Sequence, residues 1–426
     1  MDARPGEEAM TKHIGIIGAG IAGLHLGLLL RQHGVEATIV TDRNPEQVAG
    51  MRLLNTVAHH YITLDRERSL GVYHWPVEEY GYSHHHHVFN LPQPLVFSGT
   101  FTAMSRGVDY RIYLPRLMDD FAARGGRIEY RAIGADDLAK LAARFDLIVV
   151  GTGRGPFGQM FEPVAEHTPF TQPQRALCVG LYTGVRPTDP PGVTISVSPG
   201  QGELIDIPML SFSGKVHALL MENVPGGALE ELARIRYDDD PKKFRATVLA
   251  KLEQYHPAVY ARVDTARFDL QRPQDLLQGG VVPTVRRSSV DLGDGKLAIA
   301  VGDVHSVLDP VMGQGANIAS YSAFVLGEEI VKANVFDRLF CERVDRRREE
   351  RVLGAQRWTN TMITPPSEDL LGLIGAMSRN QALADEFTEN FNYPERQWAR
   401  LASPQRIRHW IGEATARRGA PQLATA

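Results

Sequence analysis

Apolar and polar positions fall into stretches that read as a mixed sheet-and-helix protein. The first is Ile14–Ile17, an apolar run broken by Gly18, Gly20 and Gly23 and followed by an amphipathic run, Leu24–His33. That order predicts strand, tight turn and helix, and in that context G-x-G-x-x-G is a dinucleotide-binding fingerprint. Gly18 makes the turn, Gly20 admits a pyrophosphate to the backbone, and Gly23 lets helix and strand pack closely. The helix start, with Ile21 and Ala22, turns free N–H groups and about half a positive charge toward the phosphates. A second strand, Glu36–Thr41, leads to Asp42 and Arg43, about 20 residues on, where an acid that binds a ribose is expected. This stretch alone leaves FAD and NAD both open.

The pattern then loosens. Asn44–Gln47 predicts a loop, and beyond Gly50 an apolar stretch is interrupted by Arg52, Asn55 and His59. These are either polar handles in a cofactor pocket or the polar face of an amphipathic helix. The tract His84–His87 predicts no metal site, because consecutive residues of a strand point to opposite faces and no acid or cysteine is spaced nearby. A helix over Leu114–Arg124, a strand over Ile128–Arg131, a helical stretch over Gly134–Arg144 and a buried strand over Phe145–Val150 return the chain to the opening sheet. From about Gln174 to Val224 the runs become short and are separated by Pro, Gly and Ser. They are Ala176–Thr183, Val193–Ser198, Glu203–Ile207, Met209–Ser213 and Val216–Met221, the signature of an antiparallel sheet in a second domain. Helices are expected over Leu229–Tyr237 and Pro241–His256, and Asp294-Gly295 predicts a hairpin turn into a strand, Lys296–Val301.

The second chemistry-bearing stretch follows that strand: Gly302-Asp303, then Pro310, Gly313-Gln314-Gly315, Ala316 and Asn317, opening a helix through Val331. An Asp at the end of a buried strand can accept hydrogen bonds from a ribityl chain. Pro310 and the glycines set a tight turn. The helix N-terminus at Gly315–Asn317 can stabilise the negative charge that a reduced flavin carries near N1 and O2. The remainder, Asp337–Trp410, is rich in Arg and Glu and predicts a solvated helical cap.

Composition narrows the field. A chain of 426 residues with 43% hydrophobic content and a net charge of −4 can bury more than one core and gives no reason to expect nucleic acid or an anionic membrane as partner. Cys178 and Cys341 are isolated, without metal-ligand or disulfide spacing, which fits a reducing cytoplasm. Met1–Met10 is polar and acidic, unlike a targeting segment, and Met10 is an alternative start. No apolar run reaches the ~18 residues of a membrane span.

The two motifs together, Gly18/Gly20/Gly23 with Asp42 early and Gly302-Asp303 with Gly313-Gln314-Gly315 late, resemble the paired pattern of flavoprotein monooxygenases with a glutathione-reductase-like fold. More closely, the chain resembles the FAD-dependent epoxidase component of two-component styrene monooxygenases. The segments that carry this are Ala22–Gly27, Thr41–Arg43, Arg52–His59, Ser105–Arg111, Asp309–Asn317 and Phe391–Trp398. The resemblance spans about Lys12 to Trp410. It implies an α/β Rossmann-like FAD-binding domain over 12–170 and 275–335, with 50–115 contributing to the active site. It also implies an antiparallel-sheet substrate domain over 171–274, a helical region over 336–426 and an N-terminal extension over 1–11.

The activity it implies is epoxidation of styrene to styrene oxide through a C4a-(hydro)peroxyflavin. The reductant would be reduced FAD from a separate NADH-dependent flavin reductase and the oxidant O2, in a cytoplasmic homodimer. Self-contained hydroxylases carry an Asp-Gly motif after the third sheet strand; here that slot reads Gly151-Thr152-Gly153, in keeping with an oxygenase that binds no nicotinamide. By the same resemblance Arg52 and Asn55 contact the flavin ring or its oxygen adduct, and Ser105 lies in the cofactor region. The backbone of Pro310–Gly315 holds the pyrimidine end, and Leu54, Val57, Tyr82, Leu220 and Val311 line the substrate pocket. Asn55, Val57, His59, Tyr82, His85 and Ser105 match the set that distinguishes styrene-type from indole-type members. An indole monooxygenase, a single-component NAD(P)H hydroxylase and a flavin carrier without turnover stand as alternatives.

Overall fold

The computed structural model describes residues 12–419. The expected N-terminal extension, Met10 and the last residues of the C-terminal region lie outside the described residues. In chain order the strands are β1 (His13–Ile17), β2 (Glu36–Thr41), β3 (Ala58–His59), β4 (Gly81–Phe89), β5 (Leu95–Val108), β6 (Arg127–Tyr130) and β7 (Leu147–Val150). Then come β8 (Ala176–Thr183), β9 (Gly192–Ser198), β10 (Gly202–Ser211), β11 (Gly214–Asn223), β12 (Asp269–Leu270) and β13 (Leu276–Gly279). The last are β14 (Thr284–Val285), β15 (Ser289–Gly293), β16 (Lys296–Ala300) and β17 (Ser306–Val307).

One sheet has the order β15-β16-β7-β1-β2-β6. Its central pairs β1–β2, β1–β7 and β16–β7 are parallel. That is why β7 reads as an unbroken apolar run: all four of its residues are buried. The helices Ile21–Gln32 and Gly315–Lys332 pack against each other beside it, so closely that a Cβ on Gly327 would come within 2.5 Å of Leu29. Asp294 and Gly295, at φ 51° and 73°, make the two-residue hairpin turn between β15 and β16 that their identities predict.

The second sheet runs β12-β8-β11-β10-β9-β4-β5-β3, with β13 also on β8. Three of its strands, β3, β4 and β5, come from the first quarter of the chain. Two expectations need correction. Glu203–Ile207 and Met209–Ser211 are one strand, with Phe212 and Ser213 forming the turn to β11, because Pro208 sits where β10 changes partner, from β9 through Asp206 to β5 from Met209, so no ladder on that side calls for its missing N–H. Leu229–Tyr237 contains only a short 3-10 turn, Glu230–Ala233. Leu229 and Leu232 are held in the core under β8 and β11, and so short a stretch is a poor helix nucleus.

The C-terminal helices are not a solvated cap. Trp358, Phe387, Phe391 and Trp410 are buried in the same apolar cluster as Val179, Leu220 and Val311, so Arg338–Met362, Gln381–Glu389 and Pro404–Gly419 close one face of the large sheet. Most of their Arg and Glu residues face outward, for example Arg347, which pairs with Glu328 of the preceding helix, whereas Arg348 is buried. The histidine tract lies on β4 as expected: His85 and His87 are buried, and the His84 and His86 rings stack on the other face. No set of three His, Cys, Asp or Glu residues among the described ones is arranged to hold a metal. No helix among the described residues is long and apolar enough to cross a membrane.

Candidate flavin and substrate site

The opening turn is shaped partly by the protein and partly by what it must admit. Gly18 has φ 105°, and a Cβ there would meet Gly151 O at 2.6 Å; one on Gly23 would meet Gly18 O at 2.2 Å. Packing alone requires both glycines. A Cβ on Gly20 would meet only Gly151 O, at 3.7 Å, so the protein does not require this glycine, whereas a close-approaching phosphate does. Gly20 caps the Ile21–Gln32 helix without any side-chain hydrogen bond, and the first turn carries no acid. Its N–H groups are left for an anion. Asp42 and Arg43, half exposed and 3.5 Å apart, stand at the end of the neighbouring β2.

Gly302-Asp303 follows β16 at the same edge. Asp303 lines a cavity of about 200 Å³ with Arg154, Val281, Arg286 and Val307. Arg154 approaches its carboxylate only to 3.9 Å, so the acceptor oxygens remain available. Asp309 caps the next turn, accepting from Val311 N–H at 3.1 Å, and Gly313 ends the turn at φ 58°, a left-handed conformation that favours glycine. Cβ atoms on Gly313 or Gly315 would meet nothing within 4 Å. The Gly315–Lys332 helix likewise lacks a side-chain cap. Two uncapped helix N-termini, open glycine backbone and a free carboxylate between them fit a dinucleotide with a ribityl chain, which is FAD.

Gln314 and Asn317 are placed differently from the simple expectation. Asn317 is buried and fully used: Nδ2 donates to Ala58 O (3.0 Å) and Gly313 O (3.1 Å), and Oδ1 accepts from Thr63 Oγ1 (2.7 Å) and His60 N (3.2 Å). It ties the turn to β3 and positions the site from behind. Gln314 is buried and donates to Met312 O and Phe391 O. Ile21 and Ala22 are buried at the first helix start, and Ala316 lies in the first turn of the second helix.

The segment bearing Arg52 and Asn55 is loop, not helix, and is anchored at both ends. Buried Arg111 pairs with Asp109 and Asp275 at 2.7 Å each and donates to Met51 O. Leu53 N donates to Gln274 O, and Ala58 pairs with Gly107. Asn55 Oδ1 is buried with no donor among the described residues. The structure does not bring Arg52 to it: its guanidinium is 2.5 Å from Asp238, with both side chains more than half exposed.

The expected substrate set separates into three places. Tyr82, His85, Leu220 and Val311 gather on the covered face of the large sheet. There the His85 ring stands edge-on to Phe101 (4.7 Å) and Phe391 (4.4 Å). Ser105 is buried in β5 opposite Tyr82 and bonds His60 Nδ1 at 3.0 Å. Burial pushes the His60 ring down to about 3 and His85 well below its usual range, so this wall is uncharged at neutral pH. Leu54 and Val57 pack instead into the core under the small sheet.

His59 does not line the apolar wall. Nδ1 is 2.7 Å from Glu67 and Nε2 2.9 Å from Tyr110 OH. It belongs to a buried polar network in which Glu67 also accepts from Arg106 and from Tyr113, which in turn bonds His25. Phe101, Phe391 and His60 pack on the same wall and are not singled out by the sequence. Nothing local marks them, and Phe391 reaches the wall only through the C-terminal helices.

The fold and these features define an FAD-binding flavoprotein. Two family models match: "FAD binding domain" over residues 11–111 and "Styrene monooxygenase A putative substrate binding domain" over 153–262. Among solved structures, flavin-dependent brominase Bmp2 superposes with a TM-score of 0.64 at 15% identity, covering 95% of this chain and 100% of that one. The tetrameric form of 2-methyl-3-hydroxypyridine-5-carboxylic acid oxygenase gives 0.59 at 14%, covering 95% and 98%. At that identity they show the fold alone. Styrene monooxygenase StyA of Pseudomonas sp is 51% identical and StyA of Pseudomonas fluorescens 50%, each over 95% of this chain and 98% of the relative. The chain belongs to the styrene monooxygenase family of FAD-dependent oxygenases.

Proposed function

We propose that this enzyme epoxidises styrene to styrene oxide, using O2 and reduced FAD delivered by a separate NADH-dependent flavin reductase in the cytoplasm. The observation that supports this best is the uncharged apolar wall of Tyr82, His85, Phe101, Leu220, Val311 and Phe391 in a chain half identical to named styrene monooxygenases. The end of β7, Gly151-Thr152-Gly153, lacks the acid that self-contained hydroxylases carry there. That supports reductant arriving as reduced flavin.

When bound, reduced FAD supplies the electrons that activate O2. The alkene's π electrons serve as nucleophile, so no side-chain nucleophile or metal is required. The chain's own part is to bind, orient and keep dry. Gly18–Gly23 and the first helix N-terminus hold the pyrophosphate, Asp42 the ribose and Asp303 the ribityl hydroxyls. The Pro310–Gly315 backbone and second helix N-terminus hold the pyrimidine end and its charge. Asn55 offers a buried acceptor to the ring. Arg52 gives up an exposed ion pair worth at most ~1 kcal/mol to reach the cofactor. The aromatic wall excludes water, which would otherwise divert oxygen to hydrogen peroxide.

The test uses purified protein loaded anaerobically with chemically reduced FAD and mixed with oxygenated buffer containing styrene, without NADH or reductase. Styrene oxide is expected in proportion to the flavin loaded. Hydrogen peroxide with no epoxide would remove the styrene assignment and leave the fold standing.

A further inference from the structure

Glu222, next to last in β11, lies on the same face as Ala218 and Leu220, the face that packs against Val311 and Met312. It is fully buried, and no donor among the described residues reaches either of its oxygens. It lies in hydrogen-bonding contact with Asp309, whose side chain is also buried. Asp309 Oδ1 caps the Pro310–Met312 turn, whereas Oδ2 has no donor.

The charged groups facing Glu222 are Asp309 from that turn, Glu203 opposite it on β10, and Arg175 just before β8. Arg175 is committed elsewhere. Nε and Nη2 grip Glu203 at 2.7 and 2.9 Å, and Nη1 donates to Gln174 O and Ile363 O. Three carboxyls thus share one cation that touches only one of them. Two adjacent buried carboxylates cannot both stay ionised.

We propose that Glu222 is protonated and donates to Asp309 Oδ2, so that one shared proton fastens the substrate-facing sheet to the turn that holds the flavin's pyrimidine end. Glu222 is then a positioning residue for flavin binding. This rests on the flavin reading of the turn given above. Burial, reinforced by Asp309 and Glu203, holds the Glu222 carboxyl well above its ordinary value. Raising the pH removes the proton, sets two carboxylates against each other and loosens the turn.

The test combines two readouts on the full-length protein. Infrared difference spectra of flavin-free protein should show a protonated carboxyl stretch at neutral pH that is absent from Glu222→Gln. In Asp309→Asn that stretch should disappear at lower pH than in wild type. FAD affinity, followed by flavin fluorescence, should fall roughly tenfold in wild type as Glu222 deprotonates, the scale of one hydrogen bond to a charged acceptor. Glu222→Gln, whose amide can still donate, should keep the neutral-pH affinity without the alkaline loss, and Glu222→Leu should be weakened by a similar factor at neutral pH. Absence of the carboxyl band in wild type, or identical pH profiles for wild type and Glu222→Gln, would overturn the proposal. If Glu222→Gln does not fold, the wild-type band and its shift in Asp309→Asn decide. Wild type that binds no FAD at any pH would strike the flavin reading instead, while the infrared band still decides whether the proton is shared.

Discussion

Glu67 is the residue on which the interior behind the Arg52–Val57 loop depends, because His59, Arg106 and Tyr113 all bond to it and all are buried. Glu67→Gln leaves the Arg106 guanidinium buried without its counter-charge, and a loss of about 3–5 kcal/mol in urea unfolding is expected. Burial alone would raise the Glu67 carboxyl, but the His59 hydrogen bond and the charges of His59 and Arg106 hold it below its ordinary 4.5. A carboxyl depressed in this way stabilises the fold above 4.5 and ceases to as the pH falls through its folded value. The gap between wild type and Glu67→Gln should therefore narrow in acid. Asn55→Ala should leave FAD affinity within about twofold but lower the epoxide formed per O2 consumed; unchanged coupling would remove Asn55 from the site. Asp303→Ala should weaken FAD by about 1–3 kcal/mol, read by fluorescence titration. Asn55 and Asp303 could be singled out from sequence because each interrupts or ends an apolar run. Glu222 could not. It lies near the end of an ordinary apolar strand, and its partner Asp309 lies on a distant turn that only the tertiary fold brings near.

Among the elements, the first turn separates architecture from ligand. Gly23→Ala would push a methyl group against Gly18 O, and a loss of roughly 1–3 kcal/mol in stability is expected, measured as a lowered Tm. Gly20→Ala meets no such contact, so its Tm should stay near wild type while FAD binding is largely lost. Loss of Tm in both, or in neither, would contradict this division. The opening strand, turn and helix were legible because their signals are local: an apolar run, three glycines and an amphipathic period. β10 was less legible, since Pro208 is tolerated only because β9 and β5 leave a gap at that point. Leu229–Tyr237 has helical periodicity, yet tertiary packing of Leu229 and Leu232 overrides it.

For the whole molecule, the C-terminal helices enclose the apolar face of the large sheet. Gly99 on β5 sits so close beneath them that a Cβ would come within 2.3 Å of Ala384 O and 2.0 Å of Thr388 Oγ1. Gly99→Val should unseat the Gln381–Glu389 helix, lower the Tm and raise peroxide release at the expense of epoxide as water enters. An unchanged product ratio would separate these helices from the enclosure. Their charge-rich sequence concealed this role, because the buried Trp358, Phe387, Phe391 and Trp410 are outnumbered along the chain by residues that face outward. The large sheet has a further consequence for descent and engineering. Strands β3, β4 and β5 precede residue 111, whereas their partners β9 and β10 follow residue 153. Any chimera of two relatives joined between those points must match one parent's β4 and β5 to the other's β9 and β10. Recombination there would be filtered by the fit of a seam inside the sheet, and viable exchanges should carry 58–108 and 176–279 together.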